Sequence, residues 1–338
     1  MAMKNLLQAI HDGLVEEMRA DDTVMIMGED VGKAGGVFRA TEGLAEEFGS
    51  MRAMDTPLAE SLIVGAAIGL SVNGIRPVAE IQFADFIPPA FDQIVNEAAR
   101  FYYRSNGAWN VPLTIRAPYG AVPGGALYHS QSVEAWFCNT PGLKVVAPTF
   151  PTDAKGMLKS AIRDPNPVLF LEHKRTYRLI KEDVPEDDYA VPLGVARVHR
   201  EGTDLTVVSY GLMLYQVLQV AGKLSENHGI EAEIVEPRTL YPLDKETILD
   251  STRKTGKFLA ISVPTSTVAP SETRNFSIFP AIGEGSSALT LSVSTSARGS
   301  SFSTSSPSAL SHRAIVPSVT LSPSWGIVTG VATTPSSC

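Results

Sequence analysis

Short, nearly unbroken apolar runs alternate along this chain with stretches whose apolar residues recur every three or four positions. Leu6 to Arg19 has helical spacing, and Thr23 to Met27 is a strand-length run ending in Gly28-Glu29-Asp30. Ala59 to Val72 reads as a buried helix, Pro77 to Gln82 as a strand and Ala90 to Tyr103 as a helix. Leu113 to Arg116 and Lys144 to Ala147 are predicted strands, followed by a helix at Thr152 to Ile162 and a strand at Val168 to Glu172. A second series predicts strands at Leu205 to Ser209 and Glu231 to Val235, and helices at Leu214 to Asn227 and Asp244 to Thr252. Strands without polar alternation, each followed by a helix, belong to parallel sheets covered on both faces. The pattern predicts two α/β domains: residues 1–180, and a second beginning at 204–257. Between them, 181–203 starts with a charged, proline-containing stretch (Lys181 to Pro192) expected to act as a linker.

The pattern breaks after Lys257. Residues 258–338 hold 21 Ser and 10 Thr with no Lys and no Asp, and their apolar residues follow neither helical nor strand spacing, although Lys257 to Ile261 keeps strand character. Such a composition offers little contiguous apolar area to set against the entropy of ordering the chain. The tail is expected to be disordered, or the product of a shifted reading frame, and the second domain incomplete.

A net charge of −8, with no basic stripe along the sequence, argues against a nucleic-acid partner. With two cysteines no disulfide framework is implied, no apolar run reaches membrane-spanning length, and no signal segment opens the chain, so a cytoplasmic location is expected. The six histidines show no metal-ligand spacing.

Two segments carry the candidate chemistry. In Asp55-Thr56-Pro57-Leu58-Ala59-Glu60, Thr56 suits a helix N-cap and Pro57 the first helical position, which would put Glu60 in the first turn and facing inward beside Leu58 and Ile63. A carboxylate there is favoured by the helix dipole alone, or it is an acid–base group. Gly124-Gly125-Ala126-Leu127-Tyr128-His129-Ser130-Gln131-Ser132 puts an imidazole in a glycine-rich loop, either as a surface residue or as a catalyst whose tautomer the following side chains hold. Phe83 and Phe86, in Gln82-Phe83-Ala84-Asp85-Phe86, are core aromatics or a pocket wall, and Glu29 is a loop carboxylate or a buried acid.

Together with Glu29-Asp30-Val31-Gly32, Gly35-Gly36-Val37-Phe38-Arg39, Thr41-Glu42-Gly43, Pro77 to Phe83 and Arg238-Thr239-Leu240, these segments resemble one family. It is the β subunit of the thiamine diphosphate-dependent dehydrogenase that opens the 2-oxo acid dehydrogenase complexes. The resemblance spans roughly residues 3–257. It implies a transketolase-like fold of two doubly wound parallel-sheet domains. Glu60 would share a proton with the thiamine pyrimidine, with Leu58, Phe86, Gln82 and Glu29 around it and Phe83 as packing. His129 would act on the substrate-derived group or the lipoyl sulfur. A structural potassium ion would be held by Leu113, Thr114, Ala161, Asp164 and Asn166.

The family's Gly-Asp-Gly motif for Mg²⁺ and diphosphate is absent from the chain. An α subunit is therefore expected to supply it, in a heterotetramer of two α and two β chains that passes an acyl group to lipoamide on the lipoyl domain of the acyltransferase core. Branched-chain 2-oxo acids are the first expectation for substrate, pyruvate the second and acetoin the third. A chain lacking much of its second domain could instead be a non-catalytic remnant or binding module.

Overall fold

The computed structural model describes residues 2–262 and the backbone of three further strands, 273–279, 289–296 and 299–303. The first half runs β1 (Ala2–Asn5), α1 (Leu6–Ala20), β2 (Val24–Gly28), α2 (Leu44–Phe48), β3 (Ala53–Asp55), α3 (Glu60–Val72) and β4 (Arg76–Glu80). It continues through α4 (Phe101–Arg104), β5 (Thr114–Tyr119), α5 (Glu134–Phe137), β6 (Lys144–Val146), α6 (Pro151–Arg163), β7 (Val168–His173) and α7 (Thr176–Leu179) to β8 (Lys181–Val184). The second half comprises β9 (Arg197–Arg200), β10 (Leu205–Ser209), α8 (Gly211–His228), β11 (Ala232–Glu236), β12 (Thr239–Tyr241), α9 (Lys245–Thr255), β13 (Phe258–Ile261), β14 (Thr273–Phe279), β15 (Leu289–Ser296) and β16 (Gly299–Ser303).

The first sheet has strand order β12-β6-β7-β5-β4-β2-β3. Its strands are parallel except β12, which reaches over from the second half and pairs antiparallel with β6. Every residue of β2, β5 and β7 is buried, as expected for strands covered on both faces. One face packs on α3 and the segment 84–99 through Ile63, Val64, Ile87 and Ile94. The other packs on α1 and α6 through Leu6, Ile10, Leu14, Met157 and Leu158. Asn5 and Gln8 form a reciprocal capping box at the start of α1, and Pro151 opens α6 where its missing N–H costs nothing.

The second sheet has order β16-β15-β14-β13-β10-β11-β9, with β10 parallel to both β11 and β13. The surviving apolar strand after the break in pattern is β13, and β14 to β16 extend the sheet antiparallel from it. The rest of the divergent tail, and with it the expectation of disorder there, lies outside the described residues.

Several sequence expectations change. The helix foreseen at Ala90 to Tyr103 is irregular, with a π-helical turn at Gln93–Glu97 and a 3-10 turn at Ala98–Arg100 before α4. Lys181 to Pro192 does not hang free: β8 pairs antiparallel with β1, Tyr189 donates its hydroxyl to the Thr152 carbonyl, and the Val191 amide donates to the Gly156 carbonyl of α6. The helix from Ala59 is buried on one side only. Ile63, Val64, Ala67 and Ile68 face the sheet, whereas Leu62 is 54% exposed. Among the described residues no helix is long and apolar enough to cross a membrane.

Candidate active site

The carboxyl ends of the parallel strands, where α/β sheets characteristically place ligands, gather nearly all the predicted chemistry. Glu29 follows β2, Asp55 closes β3, Gln82 and Phe83 follow β4, the loop bearing His129 follows β5, and Lys174 follows β7. Asp55 ties the first of these loops down by accepting hydrogen bonds from the amides of Gly32 (2.6 Å) and Lys33 (3.2 Å). Asp30 and Arg39 in that loop have positive φ, as do Gly35 and Gly36. Gly36 suits its place on two counts: its φ of 76° disfavours a side chain, and a Cβ there would lie a tight 3.1 Å from the Glu80 carboxylate.

Glu60 is the first residue of α3 and half-buried, so the dipole at this end favours its negative charge. The capping expected of Thr56 and Pro57 does not occur. Ala59 occupies the cap position without a side-chain hydrogen bond, and the buried Thr56 hydroxyl has no hydrogen-bond partner. Glu29 lies close enough to Glu60 to feel its charge. Burial first, then repulsion from Asp30 and Glu60, raises the Glu29 carboxyl above its ordinary range. The Gln82 amide bridges this corner, donating to the Glu29 carbonyl (3.5 Å) and to Asp30 Oδ2 (3.4 Å). Leu58 is not turned inward; it is 71% exposed and forms, with Leu62, an apolar flank to the site in this single chain.

His129 sits in a short 3-10 turn, Leu127–His129, entered through Ala126 at φ 48°, ψ −147°, a conformation that costs a residue with a Cβ. The imidazole stands edge-on to both aromatic rings, its centroid 4.5 Å from that of Phe83 and 5.6 Å from that of Phe86. Phe83 is thus the nearer neighbour of the histidine, rather than packing alone. Ser130 and Gln131 contribute main-chain amides, not side chains: both donate to Asp85 Oδ1 at 3.1 Å. The loop closes at its base where the Gly120 amide donates to the Gln131 carbonyl (2.9 Å).

Beneath the site lies a polar network that the sequence reading passed over. Arg116 is fully buried between Glu80 (2.6 Å) and Glu172 (2.6 and 2.9 Å), and the Tyr177 hydroxyl donates to Glu172 (2.7 Å). Burial raises the Glu80 carboxyl and the Tyr177 phenol, and Arg116 opposes both shifts. Ring contacts run from Tyr177, tilted against Phe38, through Phe38 edge-on to Phe83 and so to His129. The legible signal is a charged residue set into each of three otherwise largely apolar strands: Glu80, Arg116 and Glu172.

For potassium the donor set fits in part. The Thr114 hydroxyl is buried and makes no hydrogen bond, and the Leu113 and Ala161 carbonyls each accept one amide, from Val168 and Asp164. The Asp164 carboxylate, however, already holds the Lys144 ammonium at 2.8 and 2.7 Å and the Asn166 amide at 2.9 Å. A monovalent cation would therefore rest on Thr114 and carbonyls. Among the described residues Asp153, His199 and Glu236 also cluster, but Asp153 is engaged by Arg238 and Arg197 and Glu236 by His199 and the Thr149 amide. That cluster joins the two domains and offers no free ligand set.

A carboxylate at a helix start, a second acid beside it and an aromatic wall suit an aminopyrimidine ring, which needs one charged hydrogen-bond partner and a flat apolar face. Residues 2–180 match the transketolase pyrimidine-binding domain and residues 194–269 the transketolase C-terminal domain. The fold and site define a transketolase-like protein. Its fold is similar to that of a split-gene transketolase solved as an inactive β4 tetramer, with a TM-score of 0.63 and 25% identity over 76% of this chain and 79% of that one. The chain is 57% identical to the 2-oxoisovalerate dehydrogenase subunit beta of Bacillus subtilis, over 78% of this chain and 81% of that protein. It is 56% identical to the mitochondrial subunit beta 2 of the same enzyme in Arabidopsis thaliana, over 75% of this chain and 71% of that protein. Identity to the Bacillus subtilis pyruvate dehydrogenase E1 component subunit beta is 50%, over 77% and 80%. The chain belongs to the family of thiamine diphosphate-dependent 2-oxo acid dehydrogenase β subunits.

Proposed function

We propose that this chain, joined to an α subunit in a tetramer of two α and two β chains, decarboxylates a branched-chain 2-oxo acid and passes the acyl group to lipoamide on an acyltransferase core. The observation that carries the reading is the meeting of Glu29, Glu60, Gln82, Phe83, Phe86 and His129 at one end of the first sheet. Thiamine diphosphate, bound with Mg²⁺ whose ligands we assign to the α subunit, would supply the nucleophilic carbon and the electron sink. Glu60 holds and moves a proton at the pyrimidine ring. Phe86 shields that hydrogen bond from water, which strengthens it, and Leu58 adds to the shield once a partner subunit covers it. Gln82 and Glu29 set the electrostatics around Glu60. His129, positioned by the Phe83 and Phe86 edges, exchanges a proton with the acyl-bearing group or the lipoyl sulfur. The branched-chain assignment is supported by 57% and 56% identity to the Bacillus subtilis and Arabidopsis thaliana 2-oxoisovalerate subunits, against 50% to the Bacillus subtilis pyruvate one. Pyruvate is the second reading.

In the assembled α/β enzyme, Glu60→Gln should preserve assembly and lower decarboxylation by about 10²–10⁴-fold, the worth of one acid–base function. Near-unchanged turnover would reduce Glu60 to a helix-start anion. The chain without its α partner should show no thiamine-dependent decarboxylation. Comparing kcat/KM for 2-oxoisovalerate and pyruvate decides the substrate.

A further inference from the structure

Two buried charged groups next to the His129 loop have no hydrogen-bond partner at the atoms that face each other. The side chains of Asp85 and Lys174 are fully buried, and Asp85 Oδ2 lies 4.0 Å from Lys174 Nζ. Neither atom makes a hydrogen bond. An uncompensated buried charge costs several kcal/mol, so each of these groups is tolerated because the other is there. The opposite oxygen of Asp85 carries the amides of Ser130 and Gln131, the two residues directly after His129. Lys174 Nζ also lies 5.2 Å from the centre of the Phe83 ring, the ring that abuts the imidazole.

We propose that Asp85 and Lys174 are positioning residues for His129: a buried charge pair that fixes the histidine through its main chain at Ser130 and Gln131 and through its ring at Phe83. The pair bridges the carboxyl ends of two strands, since Asp85 follows β4 and Lys174 follows β7. Without the ammonium, the buried Asp85 carboxylate is left without its counter-charge, and the strain of that arrangement is relieved by moving the carboxylate, with the two amides it carries, towards water. The loop then loses its charged anchor while the rest of the sheet is untouched. Burial lowers the Lys174 ammonium to about 8, against the opposing attraction of Asp85. The other titratable groups around it are His129, reached through Phe83, and its chain neighbours His173 and Arg175. Burial first, then the charges of Lys174 and Arg175, lowers His173 to about 4, so it is neutral where the enzyme would work.

The test uses the assembled α/β enzyme with Lys174→Met, which keeps the apolar stem, with Asp85→Asn, and with both together. Amide exchange at Ser130 and Gln131 reads the loop without reference to chemistry, and the lipoamide-dependent rate reads the position of His129. Each single variant should speed exchange and slow the lipoamide-dependent reaction by about tenfold, the worth of a hydrogen bond to a charged group. Thiamine diphosphate affinity should stay unchanged, and the double variant should be no worse than the poorer single. The unsubstituted enzyme offers an arm in which misfolding plays no part. Protection of the two amides, corrected for intrinsic exchange, should fall between about pH 7 and about pH 9 as Lys174 deprotonates.

Unchanged protection in Lys174→Met, a flat pH profile, or simple additivity in the double variant would overturn the pairing. The activity arm rests on the role proposed above for His129, and His129→Ala separates the two. Should His129→Ala leave the lipoamide reaction intact while the exchange results hold, that role fails and the clamp stands as a loop anchor. Should His129→Ala be slow while loss of protection leaves the rate unchanged, the positioning claim fails.

Discussion

The imidazole of His129 meets the ring of Phe83 at 90°, with centroids 4.5 Å apart. An edge-on contact of this kind directs the polarised ring hydrogens of one partner at the π-face of the other, which fixes relative orientation and contributes roughly 0.5–1.5 kcal/mol beyond area burial. Phe86 makes a similar contact from 5.6 Å.

Phe83→Leu should therefore impair the enzyme more than Phe86→Leu in any step that depends on His129. Both leucines keep an apolar wall, but the Phe83 change also removes the ring beneath Lys174. Loss of one such contact predicts a rate reduced by about threefold to tenfold in the lipoamide-dependent assay. A larger defect in Phe86→Leu, with Phe83→Leu near normal, would assign the orienting contact to Phe86.

Arg116 stands between two carboxylates in a setting with no access to water. Arg116→Met fills similar volume yet leaves Glu80 and Glu172 facing each other without a cation. Breaking a buried ion network in this way typically costs about 3–5 kcal/mol. Urea unfolding of the variant should show that loss. Because Glu172 also holds Tyr177, Tyr177→Phe should cost less, about 1–2 kcal/mol for one hydrogen bond.

The parallel sheet was legible because its strands are continuous apolar runs, and Glu60 and His129 because each lies in a short, distinctive run of residues. What stayed hidden depends on distance in sequence. Asp85 and Lys174 read as loop polar residues until the fold brings the ends of β4 and β7 together. Lys181 to Val184 carries three charged residues in four, so its pairing with β1 leaves no apolar signature. The segment 239–241 sits among second-domain residues but completes the first sheet, a long-range pairing that local pattern cannot specify. Helix α3 is apolar around most of its circumference and so reads as fully buried, whereas the single chain covers only one side of it.

That uncovered side leads to a prediction about assembly. Leu58 and Leu62 are the exposed large apolar residues flanking Glu60. Leu62→Lys should leave the unfolding free energy of the isolated chain within the range of ordinary surface changes, about ±0.5 kcal/mol. It should weaken association with the α subunit or with a second β chain, because a charge would be buried at the contact. Analytical ultracentrifugation of the mixed subunits checks this. Unaltered assembly would place the interface elsewhere.

Glu134 couples the first domain to the second. Its Oε1 accepts a hydrogen bond from the Tyr210 hydroxyl at 3.4 Å, and its Oε2 is buried without a partner. Burial pushes the carboxyl up to about 7, against the lesser opposing effects of a backbone hydrogen bond and Tyr210. The folded protein therefore keeps a proton that the unfolded chain, with an ordinary glutamate near 4.5, releases at lower pH. Stability from this group is intact below about pH 4.5 and declines as pH rises towards 7, where the folded carboxyl finally ionises. Above that point the cost is constant, about 3 kcal/mol for a shift of this size. Glu134→Gln keeps the shape, still accepts from Tyr210 and cannot ionise. Relative to the unsubstituted chain, the variant should gain stability steadily between about pH 5 and about pH 8, by up to that amount. Parallel urea titrations at the two pH values measure it. A difference that does not change with pH would mean the carboxylate ionises normally in the fold, stabilised by a donor at Oε2.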